Sequence, residues 1–93
     1  MAKLARHIVV HGMVQGVGFR HFVRRLGKRL GLAGDVRNLP DATVEIVVEG
    51  NAGPMEEFMQ EVRRGPSMSH VDRLEIHDIA TVGRPPTFTI EGW

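Results

Sequence analysis

One arginine in this chain closes a glycine-rich run: Val10-His11-Gly12-Met13-Val14-Gln15-Gly16-Val17-Gly18-Phe19-Arg20. Backbone N–H groups in such a run converge on an anion when glycines allow unusual backbone angles, and Gly16 and Gly18 supply that freedom. A helix beginning here adds the positive end of its dipole. The planar guanidinium of Arg20, in the first turn, can take two phosphate oxygens at once. These types at this spacing suit a phosphate-like anion. The plain alternative is a glycine-rich connection with an exposed arginine. The run does not end in Gly-Lys-Ser/Thr, and glycines 12, 16 and 18 do not match the dinucleotide fingerprint, so neither common phosphate loop applies. Further on, Asn38-Leu39-Pro40-Asp41 carries good turn chemistry.

The elements that must position these residues follow from periodicity. Arg6 to Met13, with three β-branched residues in succession, reads as a central strand. Phe19, Phe22, Val23, Leu26 and Leu30 recur at helical spacing, and Gly31 is a natural stop. Gly34 to Leu39 reads as a short strand, followed by a turn at Pro40-Asp41-Ala42. Val44, Ile46 and Val48 alternate with Glu45, Val47 and Glu49, the pattern of a strand with one face buried; the two strands form a hairpin. A second helix opens near Asn51, a candidate cap, with Pro54 in its first turn. Its apolar stripe is Met55, Phe58, Met59 and Val62, and Gly65-Pro66 ends it. His70 to Val82 holds a fourth strand, broken by Pro85-Pro86, and Thr87 to Trp93 a last short one. The order β-α-β-β-α-β plus a terminal strand predicts an α+β, ferredoxin-like sandwich: an antiparallel sheet with both helices on one face.

Composition narrows the classes. The chain has 93 residues, which fits one domain, residues 1–93. There are no cysteines, so disulfides, thiolate zinc sites and thiol catalysis are excluded. The five histidines show no tight ligand spacing; His7 and His11 share a strand face about 13 Å apart. No metal site is expected. Ser67 and Ser69 lie near His70, but adjacency in sequence is not a nucleophile–base geometry. Net charge is +1, which gives no global field for nucleic acid. The basic segment Arg24, Arg25, Lys28, Arg29 reads as a solvated helix face, since the central strands carry no aromatic on which bases could stack. The amino-terminal apolar run is too short for a signal peptide, and no stretch approaches the roughly 20 residues of a membrane helix. A soluble, cytoplasmic, monomeric protein with no nucleic-acid or membrane partner is the expectation.

Gly12 to Arg20 resembles the first signature of the acylphosphatases at every position that defines it. Gly34 to Gly50 resembles their second signature through Gly34, Val36, Asn38, Val44 and Gly50. The similarity covers essentially the whole chain, including the element order and the Gly65-Pro66 pair. It implies the ferredoxin-like fold and hydrolysis of small acyl phosphates to carboxylate and inorganic phosphate, without metal or cofactor. It also implies that Arg20 binds the phosphoryl group, that the backbone of Gln15, Gly16, Val17, Gly18 and Phe19 completes the cradle, and that Asn38 orients the nucleophilic water. From the residues alone, Asn38 is better explained as a turn former.

Two positions depart from the family pattern. Asp35 stands where an aromatic is usual, and should point away from Val36 and Asn38 because strand neighbours alternate faces. Ala42 stands where glycine is usual; if the turn needs a positive φ there, alanine costs about 1 kcal/mol. A rival reading keeps the anion cradle without catalysis, as a regulatory module binding a phosphorylated ligand. Acylphosphatase-like domains also occur within larger maturation proteins, but a chain this short is expected to stand free.

Overall fold

The structure is a computed structural model that describes residues 2–92. The elements are β1 (Lys3–Met13), α1 (Phe19–Arg29), β2 (Ala33–Asn38), β3 (Val44–Asn51), α2 (Ala52–Arg64), β4 (His70–Ile79) and β5 (Phe88–Ile90). They form one five-stranded sheet in the order β4-β1-β3-β2-β5. The first four strands pair antiparallel, and β5 joins β2 in parallel. The fold is the expected α+β sandwich, with the added strand turning an antiparallel sheet into a mixed one. Trp93, the end of the strand expected from Thr87, lies outside the described residues.

Alternation decides what faces the helices. Ile8 and Val10 of β1, Val36 of β2, and Val44, Ile46 and Val48 of β3 are all fully buried. They meet Phe19, Val23 and Leu26 of α1 and Met55, Phe58, Met59 and Val62 of α2 in one core. Each large side chain buried this way contributes about 1.5–3 kcal/mol. Helix α1 stops where the sequence indicates. Gly31 has φ 69°, and the N–H groups of Gly31 and Leu32 return to the carbonyls of Lys28 and Gly27, which satisfies two otherwise orphaned acceptors. Gly27 earns its place by absence: a Cβ there would lie 2.2 Å from the Phe88 ring, so it lets β5 dock on α1.

Two local expectations change. Asn51 sits at the N-cap position of α2 but makes no side-chain cap bond. It is still strand, paired with Lys3, with extended backbone angles φ −70°, ψ 152°; β3 runs straight into α2. Glu49, on the face of β3 away from the helices, is only 3% exposed. Small neighbours on the adjoining strands, Ala5 and Ala33, make room beside it. The N–H groups of Val82 and Gly83 donate to its two oxygens at 3.0 and 2.9 Å, and Arg84 adds a contact at 3.2 Å. This is why β4 ends at Ile79, not Val82: the chain leaves the edge to cross over Glu49. The Val82 N–H, then those of Gly83 and Arg84, hold the Glu49 carboxyl below the usual range despite burial. The crossing segment delivers β5, and with it Glu91 and Gly92, to the end of the sheet where β2 finishes. Among the described residues, no helix is long and apolar enough to cross a membrane.

Candidate active site

Register brings the two sequence-predicted segments to one end of the sheet. Val10 of β1 pairs with Val44 of β3, which pairs with Asn38 of β2. At about 4.8 Å per strand, Val10 and Asn38 stand roughly 10 Å apart in one row. The loop 14–18 begins four residues beyond Val10, so it and Asn38 share the same edge.

The loop has the conformation its glycines suggest. Gly16 has φ 73° and Gly18 φ 77°, while Gln15 and Val17 between and before them keep negative φ. Alternating signs of φ bend successive N–H groups into a concave nest that suits an anion. Val14 and Phe19, each 1% exposed, pin the two ends of the loop in the core. Helix α1 starts without a side-chain cap and without an acidic residue in its first turn. Its first bond is the Phe22 N–H to the Gly18 carbonyl, which leaves the donors of the preceding residues facing the loop. Arg20 is half-buried at the second position of this helix. His21 beside it is exposed.

Asn38 ends β2. Its Oδ1 is buried and, among the described residues, is the one buried side-chain polar atom without a hydrogen-bond partner. Asn38 is one of the residues lining a cleft of about 670 Å³, with Gln15, Arg37, Leu39, Pro40, Glu91 and Gly92. Arg20 and residues 16–19 are not in that lining; the cleft opens on the Asn38 side of the site. At its rim, Arg37 Nε donates to Glu45 at 2.6 Å, and His7 Nε2 meets the same carboxylate at 2.8 Å. These contacts, His7 first, keep the Glu45 carboxyl below the usual range.

The turn after Asn38 is polar in construction. The Leu39 N–H donates to the Thr43 carbonyl at 2.9 Å, and the Ala42 N–H to the Leu39 carbonyl at 3.2 Å. Asp41 accepts from both the hydroxyl and the N–H of Thr43. Those two bonds, the hydroxyl's first, lower the Asp41 pKa. Ala42 has φ 74°, so the departure from glycine does place alanine in the left-handed region, at a cost of about 1–2 kcal/mol. Asp35 lies, as alternation requires, away from the core that buries Val36. Burial, then the charge of Glu91, raises its pKa.

The sequence points to Gln15 only through its backbone. Its side-chain amide in fact reaches across to the turn, donating to the Leu39 carbonyl at 2.9 Å and the Thr43 carbonyl at 2.8 Å. Nothing in the sequence announces this, because both partners are main-chain atoms. The Asp41 bond to the Thr43 N–H is the ordinary behaviour of an aspartate in a turn, and the Thr43 hydroxyl adds to it. Among the described residues, no group of three or more His, Asp or Glu side chains could hold a metal ion.

The acylphosphatase family model matches residues 6–90. An acylphosphatase from Chlorobaculum tepidum is 47% identical over 79 residues, which cover 85% of this chain and 86% of that one. The crystal structure of acylphosphatase from Bacillus subtilis superposes with a TM-score of 0.91 at 36% identity, over 96% of this chain and 99% of that one. T. kodakarensis HypF matches with a TM-score of 0.83 at 40% identity over 96% of this chain, but over only 12% of its own. The same domain therefore also occurs inside much longer chains.

Proposed function

The chain belongs to the acylphosphatase family, and from that premise we propose that catalysis is divided between the entrance of α1, which holds the phosphoryl group, and Asn38, which places the attacking water. The protein hydrolyses acyl phosphates to a carboxylate and inorganic phosphate. A non-catalytic binding module is not favoured, since the relatives named above that match over most of both chains are acylphosphatases.

The observation that carries the division is the unpartnered, buried Oδ1 of Asn38. Leaving such an acceptor unpaired costs about 1–3 kcal/mol. Substrate binding that opens Oδ1 to the cleft lets a water donate one hydrogen to it, which removes that cost. The water's lone pair is then free to face a phosphorus atom held in the neighbouring loop. The nest at Gln15 to Phe19, the uncapped start of α1 and the Arg20 guanidinium stabilise the charge spread over the phosphoryl oxygens. Water oxygen bonds to phosphorus as the bond from phosphorus to the acyl oxygen breaks. The leaving carboxylate is the base of an acid with a pKa of about 4, so it departs unprotonated and no general acid is needed. The proton lost by the water passes to a phosphate oxygen of the substrate itself. Charge stabilisation here comes from N–H donors and Arg20, so the reading is of a metal-independent enzyme. The enzyme is read as a cytoplasmic monomer.

The test is benzoyl phosphate hydrolysis in excess chelator, with inorganic phosphate as inhibitor. Arg20→Ala should lower kcat by about 10²–10³-fold and weaken phosphate inhibition as well. Asn38→Ala should lower kcat by about 100-fold while phosphate still inhibits. Full activity in the Asn38 variant would remove it from the mechanism.

A further inference from the structure

We propose that Gln15 is a positioning residue: its side chain sets the placement of the water-holding Asn38 relative to the phosphate cradle. The proposal rests on the reading of those two parts given above and adds how they are kept in register.

Two carbonyl oxygens can both be satisfied only by the NH₂ end of the amide, so the orientation of Gln15 is fixed by its partners. Those carbonyls, Leu39 and Thr43, are the pair that closes the turn directly after Asn38. Each already accepts one bond from the turn itself, the Leu39 carbonyl from Ala42 and the Thr43 carbonyl from Leu39. The turn is therefore closed without Gln15, and Asp41 braces it further. The loop is likewise anchored without the Gln15 side chain, through Val14 and Phe19 in the core. What the two Gln15 bonds add is a tie between segments separated by 24 and 28 residues in sequence. Each part keeps its own shape when that tie is cut, but their spacing is released. For in-line attack the spacing is what matters, since a displacement of about 1 Å can cost about 100-fold in rate.

Two variants test this, each compared with wild type from pH 4.5 to 8 by kcat, KM and inhibition by inorganic phosphate. Gln15→Leu keeps the bulk and removes both donors. It should lower kcat by about 10- to 100-fold, with phosphate inhibition altered by less than about threefold. Gln15→Glu gives a signature that a general loss of stability would not. Neutral at low pH, the carboxyl donates one bond to a turn carbonyl; ionised, it faces two carbonyls with no proton to give. Its kcat relative to wild type should be highest at acid pH and fall about tenfold as the carboxyl ionises, reversibly and with unchanged far-UV circular dichroism. If Gln15→Leu fails to fold, this profile alone decides. In an Asn38→Ala background, Gln15→Leu should add less than about a threefold loss, because its effect passes through Asn38. Wild-type kcat in Gln15→Leu, a flat Gln15→Glu ratio across pH, or full multiplication of the two losses would each overturn the proposal. Wild-type kcat in Asn38→Ala alone overturns instead the water-placing reading, so the two failures are separate results.

Discussion

The loop at 14–18 hangs between two side chains sunk in the core, Val14 and Phe19, whereas the turn at 39–43 is held by main-chain bonds and an aspartate. The loop takes its left-handed angles at glycines; the turn takes one at an alanine. No titratable side chain lies within the loop, while the turn depends on a charged one. Burial thus fixes the part proposed to hold the anion, with no acidic residue in the loop or in the first turn of α1. Polar bonds fix the part proposed to hold the water. On the proposed division, the phosphate-holding half rests on burial and the water-placing half on polar bonds, one of them to a titratable aspartate.

Changing the anchors should produce the largest effect. Phe19→Ala should destabilise the protein by about 3–5 kcal/mol in denaturant unfolding, and a loss under 1 kcal/mol would mean that the loop is not core-anchored. Gly18→Ala comes next. A Cβ at Gly18 meets no atom within 4 Å, so the variant should fold, but the left-handed angle costs about 1–2 kcal/mol and phosphate inhibition should weaken. The reverse change in the turn, Ala42→Gly, should relieve similar strain. After the entropy glycine loses on folding, the net gain should be at most about 1 kcal/mol, read as a higher Tm; a lower Tm would show that the turn wants the methyl group. The smallest effect is acid sensitivity. Thr43 holds the Asp41 pKa below its unfolded value, so this brace is whole above about pH 3.9 and is lost as pH falls through the lower folded value. Amide exchange should show residues 39–43 loosening in that range before residues 16–22. Simultaneous loosening would erase the contrast.

Much of this site can be read from residue order, for physical reasons. Strand alternation in Val44 to Val48 and helical spacing in Phe19 to Leu26 report burial directly. The glycines at 16 and 18 report backbone angles that few other residues adopt. The family resemblance supplied the reading of Asn38 as water-placing, and the structure adds an unpartnered buried oxygen at that side chain. What stayed hidden depends on main-chain partners far along the chain. Gln15 bonds carbonyls, which every residue has, so no pairing of side-chain types betrays it. Glu49 has the pattern of a solvent-facing strand acid, but the segment at 82–84 folds over it. Asn51 has the chemistry of a cap, but pairing with Lys3 keeps its backbone in the strand.

A crystal structure with a bound phosphate analogue, such as vanadate or sulfate, tests the central claim most directly. The account predicts the anion seated against the N–H groups of residues 16–20 and the Arg20 guanidinium, with a water between Asn38 Oδ1 and the anion, opposite the position of the leaving group. An anion bound elsewhere, or one contacted by Asn38 itself with no water between, would contradict it.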